Sequence, residues 1–211
     1  SATIEITPKD INTETDPGKP DVTAGGVAET YTYMGGQSIE PPVTVYDSVI
    51  GRKLVEGTDY ELDYANNTEV SEYGEYATIT VTGIGNYDGE LKQVLRFRIV
   101  SVQSSYMWAE LTENYGILES TDGSTSTTVE VFHGSDEKLD PDGGSDFFEI
   151  TVTGTDLKGG EITVPAEDID NATGEITFRT PGTYSITVEV SGNHSGEFDL
   201  SYALLPMQSE N

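Results

Sequence analysis

Apolar and polar residues alternate along almost the whole chain. Val43 and Val45 flank Thr44. Tyr60, Leu62 and Tyr64 follow, then Ile79 and Val81, and then Leu95, Phe97 and Ile99 with Arg96 and Arg98 between them. The second half continues in the same way. Val129 and Val131 lead to Phe148, Ile150 and Val152, then to Ile162 and Val164, then to Ile176 and Phe178. The longest runs are Tyr184, Ile186, Val188, Val190 and Phe198, Leu200, Tyr202, Leu204, and the opening stretch Thr3 to Thr7 is patterned alike. A period of two places one set of side chains on a core and the other in water, which is the signature of a half-buried strand. No window sustains a helical period, and Gly, Pro, Asn or Asp interrupts the pattern every few residues. Thr, Val, Ile and Tyr dominate the apolar segments, as pleated strands favour. The prediction is an all-β fold of many short strands, a sandwich or a barrel.

The strands also repeat. Val43-Thr-Val-Tyr-Asp47 matches Val129-Glu-Val-Phe-His133, and Gly57-Thr-Asp-Tyr60 matches Gly144-Ser-Asp-Phe147. Further on, Ile79 to Gly89 matches Ile186 to Gly196, with His194 in the place of Tyr87. The third match is offset by about 20 residues more than the first two, so the second copy carries an insertion. Residues 154–174 are its natural place, with an extra strand at Ile162 and Val164. Alternation makes Phe148 rather than Phe147 the inward residue, a slip that a one-residue bulge would explain. The expected domains are 1–101, with 1–27 partly linker or first strand, and 102–211, joined near Ser101 to Ser105.

Charge and composition then exclude several classes. Asp and Glu number 38 against 10 Lys and Arg, a formal charge of −28, and there is no cysteine in 211 residues. Such a chain does not hold nucleic acid by charge, and an anionic membrane surface repels it. Without cysteine there is no disulfide framework, thiolate zinc site or cysteine nucleophile. No apolar run approaches the ~20 residues of a spanning helix. The start lacks a basic and then apolar leader, and the end shares only Leu205-Pro206 with a sortase signal. A leader is therefore expected to be gone already, and the end to be a truncation or domain boundary. Absent cysteines fit a cytosolic protein or an exported protein of bacteria that seldom use disulfides, better than a small secreted eukaryotic domain.

Few motifs carry chemistry. Gly83-Ile-Gly-Asn-Tyr-Asp-Gly89 follows a strand but precedes another strand, so it reads as a glycine-rich hairpin and not as a dinucleotide loop. The best calcium candidate is the loop with Asp140, Asp142 and Asp146 at positions 1, 3 and 7, and Glu167-Asp-Ile-Asp-Asn171 is a second acidic turn without a complete ligand set. The first is not an EF-hand, since Ser145 and Thr151 occupy positions 6 and 12. His133 and His194, the two histidines, lie in no ligand or triad spacing, and His194 reads as a turn residue. Trp108, with Tyr106 and Tyr115 nearby, is the candidate platform for stacking a sugar ring, against a plainer reading of Trp108 as a residue sealing the start of the second core or the interdomain joint. No motif marks one of the lysines for a side-chain amide bond to asparagine. No catalytic residues, and no cofactor other than calcium, are expected.

Several blocks resemble a known family. Glu56-Gly-Thr-Asp-Tyr60, Tyr64-Ala-Asn-Asn67 and Ala77 to Gly89 are similar, in that order, to the tandem immunoglobulin-like repeat domains of adhesin-like bacterial surface proteins. Upstream, Tyr31-Thr-Tyr-Met-Gly-Gly36 and Pro41-Pro-Val-Thr-Val45 resemble the same repeat. The resemblance covers about residues 28–100; the second copy keeps Gly-Ser-Asp-Phe but loses the Asn pair, and its Thr180 to Tyr184 segment is similar to a generic bacterial immunoglobulin-like domain. It implies two tandem immunoglobulin-like β-sandwiches in an extracellular, surface-bound protein, serving as a stalk or adhesion module with no catalytic residues. The implied partner is a host or cell-surface protein or glycan. The chain is expected to be a monomer within a longer polypeptide, with no direct membrane insertion. The alternative is a carbohydrate-binding module acting through Trp108 and exposed tyrosines.

Overall fold

A computed structural model describes residues 6–120, 123–134, 137–143 and 145–207. The fold is all-β: among the described residues the helical pieces are three short 3-10 turns. No helix among them is long and apolar enough to cross a membrane. The chain divides into two compact units, Ser1–Val100 and Ser101–Asn211.

The first unit contains β1 (Lys9–Asp10), β2 (Val22–Gly25), β3 (Thr30–Thr32), β4 (Thr44–Asp47), β5 (Arg52–Lys53), β6 (Tyr60–Ala65), β7 (Ala77–Gly83), β8 (Tyr87–Asp88) and β9 (Leu95–Val100). They form a sheet β2-β4-β5, a sheet β3-β9-β7-β6 and a two-stranded parallel ribbon β1-β8. Val22 and Val45 from the first sheet and Ile79, Val81, Phe97 and Ile99 from the second share one core, closed by Ile11 and Tyr87. The alternation seen in sequence supplies this directly: in β7, Ile79 and Val81 are buried while Thr82 is exposed. The glycine-rich segment is a tight connection, with the Gly83 N–H donating to the Gly89 carbonyl at 2.8 Å and the Tyr87 N–H to Ile84 at 3.0 Å. Gly85 has φ +66° there, and a Cβ on it would lie 2.5 Å from the Thr58 carbonyl oxygen. Gly85→Ala is therefore expected to lower the stability of this unit by about 1–3 kcal/mol, read as a shift in urea midpoint.

The second unit contains β10 (Val102–Gln103), β11 (Met107–Leu111), β12 (Tyr115–Ile117), β13 (Thr125–His133), β14 (Glu137–Lys138), β15 (Asp146–Asp156), β16 (Glu161–Thr163), β17 (Ile169–Asp170), β18 (Glu175–Phe178), β19 (Gly182–Gly192) and β20 (His194–Leu205). One sheet runs β10-β20-β19-β15-β16, with β12 also pairing β20, and the other β11-β13-β18-β17, with β14 on β13. β10 and β12 lie parallel to the two ends of β20. Val129, Val131, Ile176 and Phe178 of one sheet meet Ile150, Ile186, Val188, Tyr202 and Leu204 of the other in a single core. Phe178 stacks on Tyr202 with ring centroids 4.3 Å apart.

The sequence matches fall on corresponding strands: β4 with β13, β6 with β15, β7 with β19, and the following β9 with β20. The correspondence extends to the start of each unit. Lys9 of β1 pairs in parallel with Tyr87, as Val102 of β10 pairs with His194. Between β15 and β19 the second unit inserts β16, β17 and β18, where the first unit passes from β6 to β7 without an intervening strand. Phe148 is buried and Phe147 exposed. The expected bulge is not the cause, because β15 pairs with β19 residue by residue from Asp146 to Asp156. The phase differs because Asp59 sits in the turn before β6, whereas Asp146 is already the first residue of β15.

Candidate functional site

The three aspartates of the candidate calcium loop have different surroundings. Asp140 is exposed, beside Gly143. Asp142 lies in the short turn Pro141–Gly143, and its side chain falls outside the described residues. Asp146 is buried, with both oxygens engaged by one residue: the His194 N–H donates to Oδ1 at 2.8 Å, and His194 Nδ1 lies 2.9 Å from Oδ2. A carboxylate used in this way faces the core rather than an ion in the loop. Among the described residues, no three His, Cys, Asp or Glu side chains group as a metal site. Asp146→Asn is expected to destabilise the second unit by about 1–3 kcal/mol, through its lost bond to His194, with or without millimolar calcium in the melting buffer. The turn reading of His194 is corrected here. His194 opens β20, is buried, and packs its ring 5.0 Å from that of His133.

The aromatic platform is also rearranged. Trp108 is not a core residue: it sits on the outer face of β11, is 40 % exposed, and stacks on Phe132 across the strand pair at 4.2 Å and 11°. Its indole N–H donates to the Gly134 carbonyl, and the Gly134 N–H donates to the Tyr106 carbonyl. Tyr106 is therefore a backbone neighbour of Trp108, with its ring exposed. Tyr115 is placed elsewhere, on β12 against Ala203 of β20. Lys138 and Glu130, paired at 2.6 Å, flank Phe132 on this face. As the single tryptophan of the chain, Trp108 reports its own exposure. Its emission is expected to be red-shifted and readily quenched by acrylamide; a blue-shifted, protected emission would return it to the core.

The best-organised polar groups are buried carboxylates that no motif marked. In the first unit Asp47 is the hub. Its Oδ2 accepts from Lys9 Nζ and from the Tyr87 hydroxyl, both at 2.9 Å, and its Oδ1 accepts the Val49 and Ile50 N–H groups. Lys9 Nζ also pairs with Asp21 at 3.0 Å. Asp59 is gripped by both terminal nitrogens of Arg52, and in the second unit Asp168 is gripped in the same two-pronged way by Arg179. Asp59 and Asp146, the aspartates of the repeated Gly-Thr/Ser-Asp block, are thus both buried anchors, held by different partners. Sequence could have flagged them, since an Asp recurs just before an aromatic residue at the strand start in both copies.

These partners move the acids in one direction. Burial pushes the Asp47 carboxyl up, but Lys9, Tyr87 and the two N–H groups more than offset it, leaving it below the usual 3.8. The Thr15 N–H, ahead of Lys9, lowers Asp21; Arg52 lowers Asp59, and Arg179 lowers Asp168. Burial lowers Lys9, but Asp47 and Asp21 outweigh it and hold the amine above its ordinary value. A carboxyl depressed on folding contributes stability above its unfolded pKa and loses it as pH falls through the folded value. Above that range, mild acidification relieves the repulsion of a −28 chain. The melting temperature is therefore expected to hold or rise from pH 7 toward about pH 5, and to fall steeply below about pH 4. Thermal melts across that range would check both limbs.

No family model matches the chain, and no curated protein matches it. Among solved structures it is similar to the Yersinia pseudotuberculosis adhesin InvE, at 12 % identity and a TM-score of 0.44, over 86 % of this chain and 58 % of that one. The match thus spans less than two thirds of the adhesin chain.

Proposed function

We propose that the chain is a tandem pair of immunoglobulin-like β-sandwich domains, a non-enzymatic structural and adhesion module of a bacterial cell-surface protein. The observation that carries this reading is the strand order of the second unit. In order across the sheets, β11, β13, β18 and β17 match the places A, B, E and D of one immunoglobulin sheet, and β20, β19 and β15 match G, F and C of the other. The first unit supports it with β3-β9-β7-β6, the same run of a parallel edge strand followed by G, F and C. The repeat blocks quoted above, read as surface-domain repeats, support a position for such sandwiches outside the cell. A surface rich in carboxylates keeps closely spaced copies soluble and apart. Antibodies raised against the chain are expected to label intact cells producing the full protein, and surface proteolysis to remove the label. Labelling only after lysis would overturn the reading.

A carbohydrate-binding role has one observation in its favour, the exposed Trp108–Phe132 stack beside Lys138 and Glu130. A glycan array with the wild-type chain and with Trp108→Ala separates the two: Trp108-dependent binding would make this face a sugar site, and unchanged profiles leave the spacer and adhesion role.

A further inference from the structure

We propose that the second unit holds a slot for an added β-strand along the free edge of β20, and that it takes an extended segment of a partner protein in which apolar and basic residues alternate. Two short parallel strands border that edge, with a gap between them. β10 ends opposite Ser195, and β12 begins opposite Ala203. Residues 196–202 face β19 on one side and no strand on the other. Backbone groups alternate in direction along a strand. The Ala203 N–H points outward, to the Asn114 carbonyl, so the N–H and C=O groups of Glu197, Asp199 and Ser201 point outward too, into the gap. Across it lies the outer edge of β11. A groove of about 510 Å³ runs there, lined by Ala109, Leu111, Glu113, Asp199, Leu200 and Ser201. Ala109, Leu111, Phe198 and Leu200 pack against the core but are only partly buried, so the seam between the sheets is incompletely covered.

The first unit shows how such a gap is closed. There the Leu91 N–H donates to the Val81 carbonyl, but Leu95 stands opposite Ile79, so the stretch between carries two residues more than β7 does. This bulge carries Gln93. Its side-chain amide acts as a substitute strand, accepting the Ala24 N–H at 2.9 Å and donating to the Ala24 carbonyl. From the other side, Asn12 donates to the Glu90 carbonyl at 2.7 Å and accepts the Lys92 N–H at 2.8 Å. Ala24 faces Val45 as Ala109 faces Val131, and Glu90 and Lys92 correspond to Glu197 and Asp199 in the repeat. In the second unit β19 and β20 pair without interruption from Gly182 with Leu204 to Val190 with Gly196, so the bulge and its glutamine are missing. Among the described residues no side chain bonds the outward groups of Ala109, Glu197 or Asp199. The two faces of the gap set the chemistry of the occupant. An added strand meets Phe198 and Leu200 on its inner side, which calls for apolar side chains. On its outer side it lies beside the exposed Glu197 and Asp199, which favours basic ones. Main-chain bonds supply affinity and the alternate side chains supply selectivity. A second copy of this chain is the wrong occupant, because each copy carries −28. Its own stretch of alternating apolar and basic residues, 95–99, already fills the first core with Leu95, Phe97 and Ile99. The slot is a property of the second unit itself and holds wherever the protein acts.

The test is the fluorescence anisotropy of a labelled hexapeptide of alternating valine and lysine, titrated with the full chain. Saturable binding is expected, with amide hydrogen exchange slowed in residues 197–201. The same peptide with its backbone nitrogens methylated keeps its charge but cannot pair, and should bind about tenfold more weakly or worse. A peptide of alternating valine and glutamate should not bind. Ser201→Pro removes one outward N–H and spares the bonds to β19, as proline does on an edge, and should weaken the valine–lysine peptide about tenfold. Should that variant not fold, the methylated peptide on the wild-type chain decides. Absence of saturable binding would overturn the proposal, as would equal binding of the methylated or the glutamate peptide. Exchange left unslowed at 197–201, or a folded Ser201→Pro that binds like the wild type, would do the same.

Discussion

Asp47→Ala is expected to cost the first unit about 3–5 kcal/mol, because it breaks a buried charge network by removing its central member. The side chain has no solvent exposure, and four donors converge on it: Lys9 Nζ, the Tyr87 hydroxyl, and the Val49 and Ile50 N–H groups. Alanine leaves the Tyr87 hydroxyl and both N–H groups without this acceptor, and each buried donor so stranded carries its own desolvation cost. Lys9 keeps Asp21, so the loss is concentrated where β4 turns toward β5 and where β8 meets the core. Asp47→Asn, which retains an acceptor oxygen, should fall well short of the alanine effect. Urea denaturation of both variants measures this. A shift under about 1 kcal/mol for alanine would mean that the network behaves like a solvated surface pair.

Phe178→Ala should have a comparable effect, about 3–5 kcal/mol, in the other unit. Phe178 is 1 % exposed, stacks on Tyr202 at 4.3 Å and meets Tyr184 at 4.4 Å. It is where β18 reaches across to β19 and β20, so truncation opens a cavity between the two sheets rather than at an edge. Each unit has its own core. Calorimetry of Phe178→Ala is therefore expected to lower one transition and leave the other in place, with Asp47→Ala doing the reverse. A joint shift in either variant would show that the two cores melt together.

Much of this architecture could be read before any coordinates. Alternation located β4, β6, β7, β9, β13, β15, β18, β19 and β20 because a side-chain period of two is a local property of strands. It also chose Phe148 over Phe147 as the inward residue. The reason for that choice escaped it: alternation cannot tell whether a strand begins at the Asp or one residue later, since a turn residue such as Asp59 can be as buried as a strand residue. Short strands such as β1, β8 and β10 were equally out of reach, since two residues carry no period. The site residues fared worse. Trp108 was read toward the core because large aromatic residues usually go there, yet a cross-strand stack on Phe132 shields half of it on an outer face. His194 looked like a turn residue because Gly and Asn surround it, and only pairing with Asp146 shows that it is an anchor.

The sequence by itself determined that this chain is all-β, that blocks of its first half recur in its second, and that its composition is strongly acidic. These follow from periodicity, self-similarity and charge, which depend on neighbours a few residues apart or on sums over the chain. Only the tertiary structure decided which few of the 38 acids are structural. Lys9, Asp21, Asp47 and Tyr87 come from four separate segments, as Asp146 and His194 come from two. Their meeting depends on strand pairing and sheet packing, and no local pattern encodes a contact between residues 40 or more positions apart.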